Sequence, residues 1–285
     1  MPYTHADRAN VLTEALPYIQ RYNGKTIVIK CDSSVMNDKA LKDAVVSDLV
    51  LLHLVGVRVV VVHGGKTEID AMLTSMGKTP VYQNGVRVTT PAVMDIVQQV
   101  LCGKVNKDLV STISRTGNLC VGLCGIDGAL FQAKQLDPEL GLVGKLTKVD
   151  PVLVQDALDA GYIPVIASVA QGTDQDTLYN VSADTAASKL AVALGAERLL
   201  LLTNQRGILA KPGEESSLIP ELQLSQVPAL VKDGVISGDM IARVDCCVEA
   251  ARSGVKSSTV LDGTIPHAIL LELLSDAGVG TMLKN

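Results

Sequence analysis

The chain has 285 residues, 47% hydrophobic and 19% charged, with a formal net charge of −5. This composition excludes disorder, collagen and coiled coil as the main organisation, and the charge gives no field that favours nucleic acid or an anionic membrane. Six Tyr, one Phe and no Trp leave a core of Val, Leu, Ile and Ala, which suits a buried parallel sheet under helices. The length fits one large α/β domain or two lobes.

In the first 25 residues Asp7, Arg8 and Glu14 interrupt any apolar run, so neither a secretory signal nor a membrane span is expected and the chain reads as cytoplasmic. The mean hydropathy of +0.30 comes from apolar runs of strand length. Val11, Leu12, Ala15, Leu16 and Ile19 share one face of an N-terminal helix that Thr4 and Asp7 can cap and that Pro17 should kink. That face packs on its own domain or on another subunit, and the sequence alone favours the first.

Short β-branched runs then alternate with helix-length segments. Strands are expected at 26–30, 58–63, 120–123, 163–167, 198–203 and 256–261. Helices are expected at 38–55, 67–76, from Pro91 onward, and at 151–160, 184–194, 225–232 and 240–253. Asn84-Gly85, between VYQ and VRVT, signals a hairpin. Residues 211–215 read as a polar loop. The alternation predicts right-handed βαβ crossovers, hence a three-layer αβα sandwich with a mainly parallel central sheet. Cys31, Cys102, Cys120, Cys124, Cys246 and Cys247 contain no Cys-x-x-Cys pair and no zinc-finger spacing, and read as reduced thiols.

In such sheets, ligands sit at the carboxyl ends of the strands. The second strand ends in His63-Gly64-Gly65-Lys66-Thr67 and leads directly into a helix. Glycine amides and a helix N-terminus there suit an anion. The tetrad GGKT is not a Walker A loop, because the glycine that motif needs at position 60 is Val. Lys30 ends the first strand and points at the same edge. Taken alone, it reads as a strand-end residue reaching solvent.

The ordered segments VIK, VHGG, NGVRVT, GKVNKDLVS, CGIDG, GYIPVIASV, YNVSADTAA, LLLTNQRGIL, SGDMIARVDCC and DGTIPHAILLELLSDAGVGTM resemble the N-acetyl-L-glutamate kinases of the amino acid kinase superfamily, in order and spacing, over nearly the whole chain. The N-terminal helix resembles arginine-inhibited members, and the Cys-Cys segment resembles the cyanobacterial and plant branch. The resemblance implies transfer of the γ-phosphoryl of ATP, with Mg²⁺, to the side-chain carboxylate of N-acetyl-L-glutamate. That carboxylate is already ionised, so positioning and charge neutralisation are the tasks, and no base is required.

The resemblance assigns Lys30 to the transferred phosphoryl, and Gly64 and Gly65 amides to substrate and phosphoryl. Arg87 goes to a substrate carboxylate, Asn180 to the acetamido group and Asp184 to organising the lysines. Arg243 stands at the lysine that reaches ATP, and Ser33, Thr203, Asn204 and Gly207 belong to the nucleotide end. His63 is expected to be structural. The same resemblance implies a single kinase domain made of an N-terminal helix (1–22), an acceptor lobe (23–181) and a nucleotide lobe (182–285). It also implies a homohexamer built as a trimer of dimers, and inhibition by L-arginine bound between the N-terminal helix and residues 275–282. Thr259 stands where the family often has His. The branch suggests the PII signalling protein as a partner, and the plastid stroma as the location for a plant member.

The departures from the family cluster on the phosphate loops. Cys31-Asp32-Ser33 stands where the family has an aromatic or aliphatic residue and then Gly-Gly, Lys66-Thr67 replaces Gly-Pro or similar, and Ser182 replaces Asn. Asn204 replaces Asp, and Asp239, Ala242 and Arg243 alter the GGMIPKV segment. An acid at Asp32 beside a phosphate costs about 4 kcal/mol per charge pair at an effective dielectric of 20. Lys66 can offset it by pairing with Asp32 or by binding phosphate, or it can occupy the phosphate site itself. Three readings follow. The chain is a working kinase with an altered site, a catalytically impaired relative that keeps fold, assembly and effector binding, or a sibling using carbamate, aspartate or uridylate.

Overall fold

The computed structural model describes residues 4–117, 119–211, 213–276 and 278–285. Residue 212 of the expected polar loop and residue 277 of the 275–282 segment lie outside the described residues. Among the described residues the central sheet has eight strands, in the order Glu221–Gln223, Thr281–Lys284, Ser257–Asp262, Arg198–Thr203, Thr26–Cys31, Arg58–His63, Ile163–Ala167, Cys120–Cys124. Neighbours are parallel except Thr281–Lys284 against Ser257–Asp262, which are antiparallel. All six expected strands are present.

The central strands are apolar on both faces, as parallel strands under two helical layers must be. Alternate residues sort into two cores. Ile27, Ile29, Val59, Val61, Val165 and Leu200 face one side, with the helices Lys39–Leu54 and Ala268–Leu273. Val28, Val60, Val62, Ile166, Leu199 and Leu201 face the other, with Ala183–Ala193 and Asp239–Arg252. Phe131 and Tyr22 are the aromatic rings among the largest fully buried side chains.

Two features differ from expectation. A second, four-stranded sheet (Leu178–Asn180, Val169–Gly172, Phe131–Gln135, Gly144–Val149) is mainly antiparallel, with two strands before and two after the central strand Ile163–Ala167. Its strands carry Lys and Gln on an open face, so they lack the apolar runs by which the central strands stand out in the sequence. The helix opened by Pro91 ends at Gln98, passes through a π-helical stretch, Gln99–Val105, and continues as Asn106–Ser114. The helix His5–Tyr22 contains Pro17, and Thr4 and Asp7 form the expected reciprocal capping box.

The apolar face of that first helix is not packed on its own domain. Val11, Leu12 and Leu16 are 54%, 73% and 49% exposed. Only its end is tied down: Tyr22 is buried and accepts from Arg198 (2.8 Å), and the Tyr18 hydroxyl donates to Asp276 (2.5 Å). Arg198 also donates to Thr259 (3.0 Å) and Glu272 (2.9 Å), a buried cluster joining the helix end, the sheet and the C-terminal region.

Candidate active site

Strand register levels the site. Cys31, His63, Ala167 and Cys124 lie in one row across four strands. The chain therefore leaves the sheet at one edge after each of them, and the loops at 32–34, 64–67 and 168 meet there. With the Tyr82–Gln83/Val86–Arg87 hairpin and the starts of two helices, Ala183–Ala193 and Asp239–Arg252, they enclose a cleft of about 710 Å³. Asn84 and Gly85 both have positive φ (50° and 79°), which a two-residue hairpin turn requires. Gly65 permits the close approach of the 64–67 loop to the π-helical stretch. A Cβ there would stand 2.6 Å from Leu101 Cδ2 and 3.2 Å from Val105 Cγ2.

At the inner end of the cleft, the ammonium of Lys30 is buried between two carboxylates, 3.0 Å from Asp32 Oδ2 and 2.9 Å from Asp184 Oδ1. Arg243 approaches the same two groups at 3.8 Å and 4.0 Å and donates to Gln205 Oε1 at 3.4 Å. Burial works against the charged form of Lys30, but the Asp184 and Asp32 charges prevail and hold its pKa above the ordinary value. Burial likewise pushes Asp32 up, yet Lys30 and the Ser34 N–H and hydroxyl bring its carboxyl down to about 2. Asp32 is the N-cap of the short helix Ser33–Met36, so it takes the backbone amide that a glycine loop would offer to a phosphate. Asp184 lies in the first turn of its helix, which Ser182 caps.

The hairpin end is built on the helix Lys66–Ser75. Arg87 is buried and donates Nη1–H to Asp70 Oδ1 (2.6 Å) and Nη2–H to the Lys66 carbonyl (3.1 Å). The Tyr82 hydroxyl donates to both Asp70 oxygens (3.0 and 2.9 Å). The Tyr82 ring lies 4.7 Å from Lys66 Nζ and 4.9 Å from Arg87 Cζ. Asn180 lines the same cavity and donates to Thr89 Oγ1 (3.2 Å).

His63 forms the floor beneath the loop. Asn106 Nδ2 donates to its Nε2 (3.1 Å), which leaves Nδ1 to donate to the Gly64 carbonyl (2.9 Å). Burial lowers its pKa to about 4, so it is a neutral structural imidazole, as expected.

The cleft thus brings together Lys30, Gly64, Gly65, Arg87, Asn180, Asp184 and Arg243, with Ser33 and Asn204 at its wall. Thr203 and Gly207 do not line it. Thr203 is fully buried and its hydroxyl is exchanged with the Gln205 backbone at 3.0 Å in both directions. Gly207 (φ 120°) packs against Thr281. Each serves the loop that carries Asn204. Lys66 neither pairs with Asp32 nor enters the inner end; its ammonium lies over Tyr82, and Lys30 with Arg243 offsets the Asp32 charge instead.

The amino acid kinase family pattern matches residues 25–262. The chain belongs to the amino acid kinase family. It is 48% identical to an acetylglutamate kinase of Clostridium beijerinckii over 98% of this chain and 99% of that one. It is 47% identical to an acetylglutamate kinase of a Synechococcus species over 98% of this chain and 92% of that one. Among solved structures, it matches the N-acetylglutamate synthase of Neisseria gonorrhoeae complexed with coenzyme A and N-acetyl-glutamate. That match has a TM-score of 0.85 and 26% identity, and covers 97% of this chain but 63% of the synthase. A Giardia carbamate kinase shares the fold at a TM-score of 0.66 and 16% identity, over 92% of this chain and 99% of that one.

Sequence reasoning missed Asp70, Tyr82 and Asn106. Asp70 stands four residues after Lys66 on one helix face, but its partner Arg87 belongs to the hairpin, and nothing local links them. Asn106 sat unassigned within the GKVNKDLVS segment, in a helix not foreseen.

Proposed function

We propose that this chain transfers the γ-phosphoryl of ATP to the side-chain carboxylate of N-acetyl-L-glutamate, a step of arginine biosynthesis. One observation carries the reading. A buried lysine ammonium is held beside a Gly-Gly loop, between Asp32 and the Asp184 carboxylate at a helix start, with a second cation, Arg243, facing the same two acids, in the same cleft as Arg87 and Asn180. Such an array neutralises charge on a transferring phosphoryl group, and with an ionised acceptor no base is needed. The curated relatives named acetylglutamate kinase support the acceptor.

In this reading Lys30 and Arg243 stabilise the transferred group, the amides of Gly64 and Gly65 orient it, and Asp184 holds Lys30 in place. Arg87 binds the acceptor's free carboxylate and Asn180 its acetamido group. Ser33 and Asn204 border the nucleotide, while Thr203 and Gly207 shape the loop beside it. The acceptor lobe is 23–181 and the nucleotide lobe 182–285. Among the described residues no group of three or more His, Cys, Asp or Glu is arranged to hold a metal ion; Mg²⁺ would come with the phosphates, beside Asp184 and Asp32. When bound, the ion supplies charge neutralisation.

Asp32 makes this an altered site. Because Lys30 and Arg243 already face it, they must be shared between protein carboxylate and phosphate, so turnover falls below the usual kinase range of about 1–100 s⁻¹ while the acceptor still binds. Release of ADP, coupled to a chromogenic readout with N-acetyl-L-glutamate beside a Lys30→Ala control, tests the reaction. Release only with carbamate, aspartate or uridylate would move the chain to a sibling activity. Acceptor binding with no release at all would favour a catalytically impaired relative.

The exposed apolar face of the first helix supports its use between subunits, as in a hexamer assembled from three dimers, with L-arginine as an effector and the PII protein as a partner. Deletion of residues 1–16 spares the Tyr18 and Tyr22 contacts and should reduce a hexamer to a dimer in light scattering; an unchanged mass rejects this role. Among the described residues no helix is long and apolar enough to cross a membrane, and we place the reaction in the cytoplasm.

A further inference from the structure

The cations lining the cleft divide by what they face. Lys30 and Arg243 face Asp32 and Asp184, Lys189 pairs with Glu249, and Arg87 pairs with Asp70. Among the described residues that line it, Lys66 and Lys145 are the cations with no carboxylate partner. Lys66 is the one at the hairpin end, where Asp70 already neutralises the charge of Arg87.

Nothing local explains a lysine at position 66. It is the first residue of a ten-residue helix, where the backbone dipole opposes a positive charge, and it caps no backbone group. Its carbonyl, which any residue could supply, accepts from Arg87. What the side chain adds is an ammonium on the Tyr82 ring, with the Arg87 guanidinium also within 5 Å of that ring. Tyr82 is fixed by its two hydrogen bonds to Asp70, and burial together with that carboxylate pushes its pKa up to about 12, so it stays the donor. The ring is therefore a fixed platform carrying one neutralised and one free cation. Arg87 uses two of its five N–H groups in these bonds and lines the cleft.

We propose that Lys66 is an acceptor-binding residue that determines specificity: it supplies the net positive charge that the Arg87–Asp70 pair lacks and, with Arg87, grips the α-carboxylate of the acceptor. The proposal rests on the acetylglutamate reading of the cleft. It sets Lys66 apart from the phosphoryl path, although Lys66 follows directly on the Gly-Gly loop.

The test is calorimetric titration of the full chain with N-acetyl-L-glutamate and with its α-amide, without nucleotide, followed by steady-state kinetics. Lys66→Met keeps the stem over Tyr82 and removes the charge. Its dissociation constant and acceptor KM should rise about five- to tenfold, as for a half-exposed ion pair, with kcat and the KM for ATP within twofold. Lys66→Arg should recover most of the loss. The α-amide should bind the native chain and Lys66→Met alike. Equal losses for acid and amide would mean that Lys66 acts only by steadying the hairpin, and would overturn the proposal. So would an unchanged acceptor affinity, or a change confined to the KM for ATP. A native chain that melts cooperatively yet does not bind N-acetyl-L-glutamate would overturn the acceptor reading, and this proposal with it.

Discussion

At the inner end of the cleft, two cations and two carboxylates face each other at 2.9 to 4.0 Å, with the Lys30 ammonium buried and the others partly so. At the hairpin end, Arg87 and Asp70 make a similar pair, but Lys66 adds a cation that no carboxylate answers. The first arrangement is satisfied without a ligand, so an incoming phosphate must share donors already in use. The second holds a lysine that no carboxylate pairs with, so an anionic acceptor has a free cation to meet. The same residue types thus give a costly site and a receptive one, according to how the protein's own acids are distributed.

The largest expected effect is at the inner end. Lys30→Ala should lower kcat about a thousandfold, the order seen on losing a group that stabilises transition-state charge, and should leave acceptor affinity within a few-fold. A comparable loss of acceptor binding in the same titration would merge the two ends into one unit. The substitution would also leave Asp32 and Asp184 with Arg243 alone, and chemical unfolding would register that separately from turnover.

His63 lies beneath the Gly64 loop and is held neutral, with its pKa lowered from 6.5 to about 4 by burial. Between those values the unfolded chain takes up a proton that the folded chain refuses. The contribution is therefore complete above pH 6.5 and declines as pH falls to 4, by about 3 kcal/mol. Urea unfolding at several pH values, beside His63→Gln, should show a shallower acid slope in the variant. Equal slopes would mean that the imidazole is protonated in the fold.

At the hairpin end, Arg87→Ala should weaken the acceptor about thirtyfold, within the range for a charged hydrogen-bonding group, with a smaller change in kcat. Part of that loss comes from leaving Asp70 beside the substrate carboxylate, so Arg87→Ala with Asp70→Asn should recover some affinity. No recovery in the acceptor KM would place Asp70 out of reach of the ligand.

The smallest predicted effect is the reverse of a loss. Asp32→Gly with Ser33→Gly should raise kcat about tenfold, since even half of the charge-pair cost at Asp32 exceeds 1.4 kcal/mol. The acceptor KM should hold within twofold, and stability should fall by about 1 kcal/mol through loss of the cap on Ser33–Met36. A fall in turnover would show that Asp32 positions Lys30, and that the inner end is tuned and not self-blocked.

Residue order alone determined the αβα layering, the parallel central sheet and most of the cleft. Fully buried strands require unbroken apolar runs, such as RVVVVH, and a loop that approaches an anion requires Gly64-Gly65; both requirements are local and leave a trace in the chain. The tertiary structure decided the pairings. Asp32 could be matched on paper with Lys66 as readily as with Lys30. Only the register that levels Cys31 with His63 and turns Lys66 onto its helix sets the two lysines apart. The first helix makes the same point. Its apolar face is legible in the sequence, but whether the domain covers that face depends on where Tyr18 and Tyr22 anchor the helix, and they leave Leu12 in water. Charges and apolar stripes are properties of residues, whereas their partners are properties of distance, which the chain acquires only by folding.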